Sequence, residues 1–237
     1  MTTVRIDACF RGPPQSGNGG YVAGVVAAAL GGTGCEVTLH RPPPLDRDLG
    51  LEVTGTRAAL IDGDLLLASA VASNAGVEPP PPPTVETAIA AEPGYKGFSG
   101  HMFSTCFVCG PQRAHGDGLR IFAATIPGER AEACSQVGAH WRPAANFGDA
   151  DGLVRNEFLW AALDCPGYFA VEHRAGPAVL GRLAADVMRR PPVDEPLVVT
   201  GWAIGHDGRK HVAGTALHDR RGALVAVARA VWVSLKR

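Results

Sequence analysis

Residues 41–55 read Arg-Pro-Pro-Pro-Leu-Asp-Arg-Asp-Leu-Gly-Leu-Glu-Val-Thr-Gly, and residues 190–201 read Arg-Pro-Pro-Val-Asp-Glu-Pro-Leu-Val-Val-Thr-Gly. Both stretches open on Arg-Pro-Pro, carry acidic residues in the middle and end on an apolar run closed by Val-Thr-Gly. An apolar segment precedes each: Val37-Thr38-Leu39 in the first, Ala185-Asp186-Val187-Met188 in the second. Further upstream lie two apolar helical stretches, residues 20–30 and 154–163. Downstream of each copy comes a turn and an apolar strand: Asp62-Gly63 before residues 64–73, and residues 219–222 before 223–234. Each half therefore reads helix, strand, Arg-Pro-Pro connection, strand, turn, strand. Chance produces one short match far more easily than a whole series of elements in the same order, so the chain reads as an internal duplication.

The join is visible as Glu78 followed by five prolines, Pro79 to Pro83. Such a run favours extended polyproline II and excludes a helix or central strand. The expected organisation is an N-terminal unit over residues 1–90 and a C-terminal unit over 98–237, with a proline-rich linker at about 76–97. Residues 20–30 are apolar or small on every side, which marks a buried helix. The second helix places Phe158, Leu159, Ala161, Ala162 and Cys165 at helical spacing, and Pro166-Gly167 ends or kinks it. Strands are expected at 35–40, 49–60 and 64–73, then at 119–124, 131–137, 180–188, 197–204, 210–218 and 224–234. Turn signals separate them: Gly31-Gly32, Asp62-Gly63, Asp207-Gly208 and Arg221-Gly222. The late strands follow one another without helices, so they should pair antiparallel.

Composition narrows the function. The 237 residues carry a formal net charge of −1, against non-specific nucleic-acid binding. Apolar residues reach 46%, enough for a core, and 30 glycines with 19 prolines predict many turns. The longest apolar stretch, residues 21–30, is far below the roughly 18–20 residues of a membrane span. The charged N-terminus does not read as a secretory signal, and six cysteines fit a reduced, cytoplasmic protein.

This order resembles the hotdog fold, a curled antiparallel sheet wrapped around one central helix. Two copies resemble a double hotdog: α+β, two antiparallel sheets each wrapping a helix and packed as a pseudo-dimer. The chain is similar to acyl-CoA thioesterase II and to phenylacetate-pathway-type hotdog thioesterases. Phe10-Arg11-Gly12 with Gly17-Asn18-Gly19-Gly20, then Cys106-Phe107-Val108-Cys109-Gly110 with Gly118-Leu119-Arg120-Ile121-Phe122, and finally Leu159–Asp164 carry the likeness. The resemblance implies hydrolysis of an acyl-CoA or acyl-carrier thioester without a cofactor or metal, by a monomeric pseudo-dimer or a homodimer. Hotdog thioesterases of the second type carry His-Gly-Gly at the helix start and a carboxylate about nine residues later.

Here that pattern is split between the halves. Asn18-Gly19-Gly20 stands at the first helix start, but Ala27 stands where its carboxylate would be. Asp164 stands at the carboxylate position of the second half, but Arg155-Asn156-Glu157 replaces the glycines. One composite site follows, with Asp164 as base or nucleophile and the amides around Asn18, Gly19, Gly20 and Tyr21 as oxyanion donors. The reciprocal pair, Ala27 against residues 155–157, should be inactive. Unpaired amides at a helix start carry partial positive charge, and burial late in a helix raises carboxylate basicity.

Some signals oppose this reading. The thioesterase II pattern adds a Thr and a Gln that hold water. The Gln position falls near Arg229-Ala230, and no Thr equivalent is evident. A non-catalytic acyl or acyl-CoA binding protein is the alternative. A hotdog hydratase is weaker, since residues 146–151 resemble its motif without the required His. Cys106-x-x-Cys109 has the shape of a zinc knuckle, but no second Cys-x-x-Cys exists, and His101 and His115 stand at no known spacing. Cys165 reads as a buried small residue. Arg189-Arg190, Arg209-Lys210-His211 and Arg220-Arg221 could touch coenzyme A phosphates. Trp141, Phe158, Trp160 and Tyr168 could line an acyl tunnel.

Overall fold

A computed structural model describes residues 2–126 and 136–236. The strands are β1 (Thr2–Arg5), β2 (Gly34–Leu39), β3 (Asp48–Thr54), β4 (Arg57–Asp62), β5 (Leu65–Ala72), β6 (Ala124–Thr125), β7 (Val137–Trp141), β8 (Ala178–Val187), β9 (Leu197–Asp207), β10 (Lys210–Asp219) and β11 (Leu224–Ser234). The α-helices are α1 (Gly19–Ala28), α2 (Val85–Ala91), α3 (Gly97–Gly100), α4 (Asn156–Ala162) and α5 (Cys165–Ala175). All named strand pairs are antiparallel.

The expected two sheets are one. The strand order is β1-β3-β4-β5-β2-β8-β11-β10-β9-β7-β6. Between β2 and β8 the halves join edge to edge, from Gly34 opposite Asp186 to Thr38 opposite Arg182. The reason is backbone satisfaction: β2 and β8 are each an edge strand of their half, and the two edges fill each other's unpaired N–H and C=O groups. From this seam the order is the same in both directions, β2, β5, β4, β3, β1 on one side and β8, β11, β10, β9, β7 on the other.

The Arg-Pro-Pro copies explain themselves structurally. Each follows the seam strand of its half and returns beneath the start of that half's helix. The Gly17 N–H donates to Pro43 O at 2.9 Å, and the Val154 N–H donates to Pro191 O at 2.9 Å. One residue on, the Asn18 N–H donates to Phe10 O at 2.8 Å and the Arg155 N–H to Phe147 O at 3.0 Å. Proline supplies carbonyls without a competing donor, so the same clamp fixes the approach to α1 and to α4. These matched bonds make Asn18 and Arg155 equivalent positions of the two halves, and hence, nine residues on, Ala27 and Asp164.

α1 and α4 cross face to face because two glycines permit it. A Cβ on Gly20 would stand 2.7 Å from Trp160 O, and one on Gly24 would stand 2.7 Å from Glu157 Cα. Phe10, Tyr21, Phe147 and Phe158 stack around the crossing, with Phe10 and Tyr21 rings 4.1 Å apart and Phe147 and Phe158 4.9 Å apart. Trp141, Phe158 and Trp160 are therefore core side chains, each at most 2% exposed.

Other expectations are corrected. Residues 49–60 are two strands, because Gly55 turns the chain at φ 57°. Residues 119–123 are not a strand: the N–H groups of Leu119 and Ile121 donate to Phe107 and Val108 carbonyls, and only β6 joins the sheet. The strand expected at 131–137 lies outside the described residues except at its end, where β7 begins. The linker is not bare: after the prolines Thr84 caps α2, its Oγ1 accepting the Thr87 N–H at 3.2 Å. Among the described residues no helix is long and apolar enough to cross a membrane.

Candidate active site

α1 begins at Asn18, whose Oδ1 accepts the Tyr21 N–H at 2.9 Å, an N-cap. That leaves its Nδ2 as donor, and it reaches Asp164 Oδ2 at 2.8 Å. The Gly20 N–H donates to the same oxygen at 3.0 Å. A Cβ on Gly20 would stand 2.6 Å from Asp164 Cβ, so the contact requires glycine. Asp164 itself sits in the break between α4 and α5, where the backbone leaves helical geometry at φ −81° and ψ −81°. The expected proline kink is thus a break just before Cys165-Pro166, with Pro166 in the first turn of α5 as its missing N–H allows.

Asp164 is 2% exposed. Burial pushes its carboxyl up to about 7, against the opposing hydrogen bonds from Gly20 and Asn18. Its second oxygen, Oδ1, is buried and accepts from no group among the described residues. One oxygen is therefore held and the other is free, the arrangement of an oriented base.

The carboxylate lies in the wall of a cavity of about 600 Å³, within the usual range for small-molecule sites. Asn18 and Gly19 also line it, together with Leu39, Leu180, Met102, Phe103, Tyr168 and Phe169. The site residues anticipated from the sequence are thus brought together, with one change of role. The Gly20 and Tyr21 amides are already engaged, by Asp164 and by the Asn18 cap. The Gly19 N–H, first in the helix, has no partner among the described residues and is the available donor.

The anticipated basic clusters do not line the cavity. Arg189 is paired with Glu195 at 2.8 Å and with Asp219 at 3.1 Å. Arg190 is held by Asp149 and by the carbonyls of Leu153 and Val154, which also gives residues 146–151 a structural role. Arg229 pairs with Glu36 at 3.7 Å and does not line the cavity. The basic side chains in the cavity wall are Arg41 and Lys96, and the latter pairs with Glu172 at 3.4 Å. Arg41 opens the first repeat, so the repeat itself was the signal for it. Tyr168, unlike the tryptophans, does line the cavity.

Asn18→Ala removes the cap and one of the two donors to Asp164. It is expected to lower Tm by about 2–4 °C, the consequence of roughly 1 kcal/mol in a chain of this size. Thermal unfolding followed by circular dichroism checks this.

No family model matches the chain, and no curated protein matches it in sequence. Solved structures do match. The tesB protein of Mycobacterium avium subspecies paratuberculosis aligns at TM-score 0.59 and 15% identity, over 93% of this chain and 88% of that one. A protein described as a candidate thioesterase II from Thermobifida fusca aligns at 0.64 and 17%, over 99% and 92%. A protein of unknown function with a hot dog fold from Alicyclobacillus acidocaldarius aligns at 0.61 and 11%, over 99% and 93%. At such identities the likeness speaks for the fold, and it spans almost the whole chain: this is a hotdog-fold protein.

Proposed function

We propose that the chain is a double hotdog, packed as a pseudo-dimer, that hydrolyses an acyl-CoA-type thioester at one composite site between its halves. The observation that carries this reading is the direct contact of Asp164, from the second half, with Asn18 and Gly20, from the first, in the wall of one cavity. The strand order repeated outward from the seam supports the pseudo-dimer.

In the reaction Asp164 Oδ1 takes a proton from water as that water attacks the thioester carbonyl, while Oδ2 stays anchored. Negative charge grows on the carbonyl oxygen, where the Gly19 N–H at the helix start meets it. Collapse of the tetrahedral intermediate expels the thiolate, which recovers the proton from Asp164. Ala27 offers no such base in the reciprocal position, and Glu157 there is paired with Arg155 at 3.5 Å. A single site per chain follows.

The test is thiol release from short, long and aromatic acyl-CoAs. Turnover of at least one class is expected. Absence of release across the panel, with ligands still raising Tm, would replace hydrolysis by acyl binding. Arg41, exposed in the cavity wall, is placed to meet substrate phosphate. Arg41→Ala is expected to raise KM roughly two- to fivefold with kcat little changed, the scale of an exposed charge pair. Steady-state kinetics on the best acyl-CoA reads it.

A further inference from the structure

The same cavity wall holds a second group of side chains that hydrolysis does not use. The sulfurs of Cys106, Cys109 and Cys165 lie within 4.8 Å of one another, and Cys106 Sγ and Cys165 Sγ are 3.8 Å apart. All three residues are at most 6% exposed. They are free thiols. We infer that Cys106, Cys109 and Cys165 form a binding site for a thiophilic divalent ion of the Zn²⁺ class.

The dimensions are those of such a site. With Zn–S bonds of about 2.3 Å, the edge of a tetrahedron is about 3.8 Å. The sulfur pair Cys106–Cys165 already has that separation, and the third sulfur needs only a small closure. The Cys106–Gly110 segment is built as a tight knuckle. The Gly110 N–H donates to Cys106 O at 2.9 Å, and a Cβ on Gly110 would stand 2.6 Å from Cys106 N. Tyr95 Oη donates to Cys109 O at 2.8 Å and pins the other end. Cys165 comes from the first residue of α5, and 59 residues separate it from Cys106, so no local spacing announces it.

Donors surround the sulfurs as they would surround thiolates. His101 Nδ1 accepts the Phe103 N–H at 2.8 Å, which leaves the imidazole proton on Nε2, and Nε2 stands 3.2 Å from Cys109 Sγ. Asn18 Nδ2 lies 3.9 Å from Cys106 Sγ. His101 therefore acts here as a donor to a ligand, the kind of outer partner that orients a metal site. The three cysteines and His101 all line the cavity, and in the proposed site the fourth position is left to a water molecule from it. Binding exchanges one divalent cation for three thiol protons, leaving the three-thiolate site with one net negative charge.

The experiment uses the full chain without substrate, so its outcome is independent of hydrolysis. Elemental analysis of protein purified under reducing conditions, then Co²⁺ titration of the chelator-treated chain, should each give about one ion per chain. Co²⁺ should develop the sulfur-to-metal charge-transfer absorption of tetrahedral thiolate coordination. Cys109→Ala and Cys165→Ala should each abolish it, while Cys35→Ala, a buried thiol outside the group, should leave it unchanged. Should the first two variants fail to fold, the wild type still decides the matter. Zn²⁺ should slow the reaction of three thiols with a disulfide reagent at least tenfold, and a chelator should restore it. Absence of Co²⁺ absorption, retention of the ion by Cys165→Ala, or a Cys106–Cys165 disulfide in the reduced-purified protein would each overturn the site.

Discussion

Asp164→Asn is expected to lower kcat for thioester hydrolysis by about 10²–10⁴-fold, the usual contribution of a positioned base. The substitution is close to isosteric. Its carbonyl oxygen can still accept from Gly20 N–H and Asn18 Nδ2, which now hold Oδ2. The amide NH₂ then stands where the unpartnered Oδ1 stood, and it cannot take a proton from water. Folding should survive, because the change removes a charge from a site 2% exposed rather than stranding one. KM should move little if the base acts only in the transition state. Kinetics beside a Tm measurement separate loss of chemistry from loss of structure. Wild-type turnover in this variant would remove Asp164 from the mechanism.

Gly24→Val is expected to cost about 3 kcal/mol of stability, the upper part of the range for overpacking a core. The first atom added at this position would stand 2.7 Å from Glu157 Cα and 2.8 Å from Trp160 Cβ. The first is backbone and the second belongs to a side chain 2% exposed, so neither yields without moving α4. Replacing glycine inside a helix normally gains up to about 1 kcal/mol of backbone entropy. That gain is smaller than the collision and does not reverse the sign. Denaturant unfolding should show a lower midpoint with an unchanged slope. A midpoint equal to wild type would mean that α1 and α4 can separate freely, against the close approach of Gly24 to Glu157.

The repeat was legible because proline constrains the backbone of both halves in the same way, and the clamps at Pro43 and Pro191 are its physical expression. The last strand, expected at 224–234, has those bounds, since a long apolar run that follows an Arg-Gly turn marks it. The split at Gly55 was hidden because a lone glycine between two short apolar stretches, residues 49–53 and 58–60, carries no second turn residue beside it. β1 was hidden for the opposite reason: Thr2–Arg5 is short and mostly exposed, and pairing with β3 rather than apolar pattern makes it a strand. The seam could not be read at all, because edge pairing is a property of two assembled halves. At the site, Asn18, Gly20 and Asp164 rested on the resemblance: the hotdog thioesterase pattern, laid on each half in turn, falls on them. That Gly20 donates to Asp164, leaving Gly19 free, depends on the break in helical backbone at Asp164, between α4 and α5. The thiol group was legible only in its local pair, Cys106 and Cys109.

The β2–β8 seam has one more consequence. In a symmetric dimer of identical chains every substitution appears on both sides of the interface, so a residue harmful at one site is imposed on both. Here the two sides are covalently distinct: position 27 and position 164 are separate letters of one sequence, as are 18 and 155. The ratio of the two sides is fixed at one to one whatever the protein concentration. Dilution cannot dissociate them into half-sites. The two sides are thus free to differ, as Ala27 and Asp164 do, and Asp164 alone of the two lines the cavity.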